Sequence, residues 1–226
     1  MFGDGEAMSY DAVVIGSGYG GSVAACRMSM AGIKVCLMEK GRKWEAQDFP
    51  TNSFNILSAF RMENKKWGFT FGAKDALIQV HQQDNSVAAV ACGLGGGSLI
   101  NAGVMVSTPA RARRNKKWPK EWNNDWEVCE ASASTMLRAQ SVPVEFPNAK
   151  VMQQVATEEI EECSSSSIKL SINFESKEPS TSSNSMGSQQ TDSCRACGNC
   201  LSGCPYNAKN STDKNYLASA VQACWM

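Results

Sequence analysis

The sequence predicts an α/β fold with a parallel sheet, on two observations. A strand, a glycine cluster, a helix and a second strand follow one another between Tyr10 and Glu39, and another glycine-dense stretch begins at Cys92 after a strand-like pair. Tyr10-Asp-Ala-Val-Val-Ile15 is short, apolar and β-branched and stops at glycine, as a buried strand does at a tight turn. Ser22 to Ala31 is rich in small and straight-chain residues and stops at Gly32, where a left-handed helix end carries no β-carbon penalty, so a helix of about three turns fits. Lys34-Val-Cys-Leu-Met-Glu39 alternates as a second strand. A helix joining two such strands makes a right-handed, parallel, Rossmann-like β-α-β unit.

Farther along, Ala76 to Val90 holds two apolar segments around the polar Gln82-Gln-Asp-Asn-Ser86 connection, which predicts a β-hairpin inserted beside the parallel sheet. Trp118, Trp122 and Trp126 recur every fourth residue and would share one helix face, read as an aromatic packing face rather than a ligand-stacking box. Residues 150 to 162 read as an amphipathic helix, with Val151, Val155 and Ile160 set to pack against the tryptophan segment. Ser164 to Ser167 and Glu175 to Ser193 hold too few apolar groups to offset the entropy of ordering the chain. The expected organisation is a Rossmann-like domain over residues 1–110, a mostly helical part of a second domain over 111–174, a disordered linker over 175–193, and a cysteine-rich segment over 194–226 that returns to the first domain.

Composition narrows the functional classes. The 226 residues carry 22 basic and 22 acidic side chains, so no whole-chain field gathers nucleic acid or an anionic membrane. The basic run Arg111-Ala-Arg-Arg-Asn-Lys-Lys117 reads as solvated surface. No apolar run reaches the roughly 18 residues of a membrane span and no secretion signal is evident, so an intracellular, cytoplasmic location is the default expectation. Six of the ten cysteines, Cys26, Cys36, Cys92, Cys129, Cys163 and Cys224, are scattered and read as reduced thiols.

Gly16-Ser-Gly-Tyr-Gly-Gly21 places glycines at the first, third and sixth positions of GxGxxG, after a strand and at the mouth of a helix. Gly16 permits the turn, Gly18 leaves the backbone bare for a pyrophosphate, and Gly21 lets helix and strand approach. The helix N-terminus adds unpaired N–H groups and a partial positive charge. Glu39, at the end of the second strand, suits a carboxylate accepting hydrogen bonds from ribose hydroxyls. This pattern holds the ADP portion of either FAD or a nicotinamide dinucleotide and does not choose between them. Cys92-Gly-Leu-Gly-Gly-Gly-Ser-Leu-Ile-Asn-Ala-Gly-Val104 is a second loop able to bring bare backbone against a flat or anionic ligand.

The blocks DAVVIGSGYGGSVAACRM, VCLMEKG, CGLGGGSLINAGV and GCPYNAKNSTDKNYL resemble the glucose-methanol-choline (GMC) oxidoreductases, and within them the cholesterol oxidase-like branch. The resemblance covers most of residues 9–110 and 194–221. It implies a Rossmann-like FAD-binding domain, incomplete in this chain, with part of a second α+β substrate domain. By the same match Gly16, Gly18, Tyr19, Gly20, Gly21 and Glu39 hold ADP, while Gly97, Ser98 and Asn101 lie near the flavin. The implied reaction is oxidation of a small-molecule alcohol or sterol-like substrate, hydride passing to flavin N5 while a base takes the hydroxyl proton. Family members are considerably longer, and their catalytic pair, His with His or Asn, or Glu with His, lies in the C-terminal part. The sole histidine, His81, matches no catalytic position and reads as structural or exposed, so no catalytic residue is expected here. The expectation is a truncated, inactive N-terminal part that is unstable or binds FAD poorly, its sheet edge unpaired and its apolar surface open.

Cys194-Arg-Ala-Cys197-Gly-Asn-Cys200-Leu-Ser-Gly-Cys204-Pro205 has the C-x2-C-x2-C-x3-C-P spacing of bacterial ferredoxins, making a 4Fe-4S cluster on Cys194, Cys197, Cys200 and Cys204 one expectation. Zinc, and reduced or disulfide-forming thiols, are the others. A cluster would make the chain an iron–sulfur flavoprotein of electron transfer instead of part of an alcohol oxidoreductase.

Overall fold

β1 (Ala12–Ile15) and β2 (Val35–Met38) pair in parallel, Ala12 opposite Val35 and Ile15 opposite Met38, with α1 (Tyr19–Met30) between them in sequence. The expected strand-helix-strand unit is present. α1 ends as the glycine signal requires: Gly32 adopts φ +80° and Ile33 N–H returns to the Met28 carbonyl at 3.1 Å. The computed structural model describes residues 9–64, 66–159, 168–175 and 191–223. Among them β1 pairs with no strand on its other edge, and Val13 and Ile15 are exposed.

α2 (Ser53–Ser58) leads into a four-stranded sheet of β3 (Phe60–Asn64), β4 (Phe69–Phe71), β5 (Ile78–Gln83) and β6 (Ser86–Ala91), in the order β4-β3-β5-β6. β5 and β6 form the expected hairpin, Ile78 opposite Ala91 and Gln83 opposite Ser86, with Asp84 at φ +44° in the turn. Beneath this sheet Trp44, Phe49, Ala59, Leu77, Ile78 and Leu99 form one apolar core.

β7 (Val104–Met105), α3 (Ala110–Arg113), α4 (Trp122–Met136), β8 (Gln140–Ser141), α5 (Pro147–Glu159) and β9 (Lys169–Leu170) follow, with β9 antiparallel between β7 and β8. Here packing departs from the sequence expectation. Trp118 lies in the turn before α4, and its ring sits 5.3 Å from Trp122 and 6.4 Å from Trp126, yet Trp118 and Trp122 remain exposed. Trp118 meets both other rings, and none of the three enters a buried core cluster. Val151 and Val155 of α5 are likewise exposed, and Ile160 lies outside the described residues. Most of the stretch expected as a linker, residues 176–190, and the Ser164–Ser167 run also lie outside them.

The second core sits on α1. α6 (Tyr216–Ala223) packs against it, and Cys26, Leu137, Tyr216 and Ala220 are buried together. The segment leading into α6 is almost wholly buried, from Ala208 through Asp213 and again at Asn215 to Leu217. No helix among the described residues is long and apolar enough to cross a membrane.

Candidate functional site

The first glycine loop is built as its sequence requires. Gly16 turns the chain at φ +90°, a backbone state that side chains disfavour. A β-carbon on Gly21 would run into the Gly16 carbonyl oxygen, so glycine there is the condition for α1 to close on β1. Gly18 is different: it is the N-cap of α1 at φ −63°, has open space where a β-carbon would stand, and offers no side chain to the first-turn amides. The same space is open at Gly16 and Gly20. Four amides at a helix start have no intrahelical acceptor, so this bare mouth is ready for an anion.

Glu39 closes the loop from β2. Its Oε2 accepts from the Ser17 N–H at 2.8 Å and the Ser17 hydroxyl at 2.6 Å, and its Oε1 accepts from Gly41 N–H at 2.8 Å. Burial pushes the Glu39 carboxyl up, but these bonds, with that of the Lys40 amide, outweigh it and leave the pKa below the ordinary value. The carboxylate is therefore held charged and aimed at the glycine turn.

Ser17, between the first two glycines of the motif, joins both loops. Fully buried, it accepts at Oγ from the Gly95 N–H at 2.9 Å while donating to Glu39. The second loop runs as a 3-10 turn over Gly96–Leu99, with Gly95 and Gly96 at φ +107° and +53°. A β-carbon on Gly96 would stand 2.7 Å from Gly18 Cα, which shows how closely the loops pass. Gly97 faces open space.

Ser98 and Asn101 do different work in that second loop. Ser98 is buried, donates to the Gly95 carbonyl at 2.7 Å and accepts from Thr212 N–H at 3.0 Å, so its hydroxyl is committed to the protein. Thr212 Oγ1 donates to the same Gly95 carbonyl at 3.2 Å. Asn101 reaches across the mouth instead: its side-chain amide donates to the Tyr19 hydroxyl at 2.5 Å. Burial pushes the Tyr19 phenol up, partly offset by this bond. Lys209 lies beneath, donating to the carbonyls of Leu99, Asn101 and Cys200.

The iron–sulfur expectation for Cys194, Cys197, Cys200 and Cys204 is not supported. All four line one mostly apolar cavity of about 270 Å³. Among the described residues no three His, Cys, Asp or Glu side chains come together in a group that could hold a metal ion, so the zinc alternative gains no support either. Positive φ at Ala196, Gly198 and Gly203 turns the chain repeatedly, and the sulfurs of Cys194 and Cys204 accept from the Ala196 and Ala208 amides at 3.4 and 3.2 Å. The eight described cysteines are free thiols. His81 sits in β5, partly exposed, with Nδ1 3.5 Å from Glu63 Oε2.

A parallel β-α-β pair, with two glycine loops apposed at the helix mouth, defines an α/β protein with a cradle of bare backbone. The chain belongs to the GMC oxidoreductase family, whose family model matches residues 10–224, and FAD is the cofactor that membership implies. Its relatives include a cholesterol oxidase of Acinetobacter baumannii, 30% identical over 92% of this chain and 38% of that protein. A cholesterol oxidase of Mycobacterium tuberculosis is 26% identical over 95% of this chain and 37% of its own length. A long-chain-alcohol oxidase of Arabidopsis thaliana is 27% identical over 94% and 25%. The chain thus spans well under half of these relatives.

Proposed function

We propose that this chain forms the FAD-holding part of an oxidoreductase acting on the CH–OH group of an apolar alcohol or sterol-like donor. The observation that carries the proposal is the junction at Ser17, where one buried hydroxyl ties the first glycine loop, Glu39 and the second glycine loop into a single cradle. Gly16, Gly18, Gly20 and the α1 amides would receive the pyrophosphate, Glu39 the adenosine ribose, and Gly97 and Asn101 the flavin end. The open space at Gly16, Gly18 and Gly97 fits a ligand that needs bare backbone. FAD supplies, when bound, the two-electron acceptor that alcohol oxidation requires. The chain's own residues bind and orient. Glu39 stays anionic, the Asn101–Tyr19 pair fixes the mouth, and His81, held at Glu63, takes no part. The alcohol class rests on the names of the relatives.

The test is titration of the purified chain and its Gly18→Ala variant with ADP and with FAD. Because φ at Gly18 suits alanine and nothing crowds the new methyl, the variant should melt within a few degrees of the parent. Its affinity for both ligands should fall by about tenfold or more, since the methyl occupies the ligand's place. A folded parent that binds neither ligand, or a variant that binds both equally well, would remove the proposal.

A further inference from the structure

We infer that Lys209 is a positioning residue for the flavin end of the cradle, holding the second glycine loop in its binding shape through Asn101. This rests on the FAD reading above. An ammonium has three N–H donors, and Nζ of Lys209, a residue only 3% exposed, meets three backbone carbonyls. Two belong to the loop, Leu99 at 3.0 Å and Asn101, and the third is Cys200 at 3.0 Å. Asn101 in turn donates to Tyr19, the first residue of α1, so the Lys209 ammonium is linked by two bonds to the helix mouth. All three contacts fall on the second loop and the cysteine-rich segment, and the first loop is reached only indirectly, through Asn101 and Tyr19, so the flavin end of the cradle depends on Lys209 more than the ADP end does.

The charge of this ammonium is adjustable. Burial pushes the Lys209 pKa down to about 8 from its ordinary value; Lys214 adds to that, and Cys200 and Cys204 oppose it. The cavity beyond the amine also carries Cys194, Cys197, Arg195 and Tyr206. A neutral amine keeps two donors for three carbonyls, so the loop loses a tether as pH rises through that value. FAD affinity should then weaken with rising pH while ADP affinity holds.

The experiment titrates the full chain with ADP and FAD at about pH 7 and about pH 9, together with Lys209→Met and Lys209→Arg. For the parent, the ratio of FAD to ADP dissociation constants should rise at least about fivefold between those pH values. Lys209→Met should raise that ratio about tenfold at the lower pH and abolish its pH dependence, and Lys209→Arg should restore most of the loss while removing the titration. If the methionine variant does not fold, the parent's pH profile and the arginine variant decide. A parent ratio that stays flat overturns the inference even where FAD binds well. A parent that binds neither ligand overturns the flavin reading and this inference with it, whereas one that binds both with the expected divergence supports both.

Discussion

α1 and α4 are helices of similar length that meet opposite fates. α1, with 12 residues, buries Ser22, Ala25, Cys26 and Ser29, with Cys26 against Tyr216 and Ala220 of α6, whereas α4, with 15, buries none. The difference lies less in their own sequences than in what crosses them. α1 is covered by a segment whose backbone and hydroxyls are tied to the second glycine loop, while α4 sets its two tryptophans against Trp118 in the turn before it. An isolated helix of this length is marginal in water, so rigidity in this chain comes from the cover and concentrates where the ligand would bind.

The sharpest way to break the contrast is Gly21→Ala, which forces α1 away from the Gly16 carbonyl; a loss of about 3 kcal/mol in chemical denaturation is expected. Ser98→Ala should cost about 1–3 kcal/mol by the same measurement, because it strands the buried Thr212 amide. On the uncovered side, Val151→Lys in α5 should change stability by no more than about 0.5 kcal/mol, since Val151 already faces water. A large effect there would mean that the exposed helices are held as firmly as α1.

What the sequence made legible was local. The parallel unit could be read because strand, turn and helix signals lie within a few residues of one another, and the hairpin because its polar turn interrupts two apolar runs. Ser17, Thr212 and Lys209 could not be read in that way. The bonds by which they tie the second glycine loop span 78 to 117 residues, and no local pattern marks a hydroxyl or ammonium for burial. The tryptophan and cysteine spacings were also read correctly as proximity and then carried too far. A tryptophan at every fourth residue brings three rings together without providing a surface to cover them. Likewise, four close cysteines share a cavity wall without forming a group that could hold a metal ion, and the chain turns at Ala196, Gly198 and Gly203 between them.

The clasp between Ser98 and Thr212 also sets an order of events during synthesis. The two residues are 114 positions apart, and at roughly 5–20 residues per second a ribosome needs on the order of ten seconds to travel between them. Throughout that interval the nascent glycine turns lack their lock and the apolar side of α1 has no lid. The early-made half of the cradle must therefore wait, sheltered or at risk of sticking to its neighbours, for the stretch from Ala208 to Leu217 to emerge and close it.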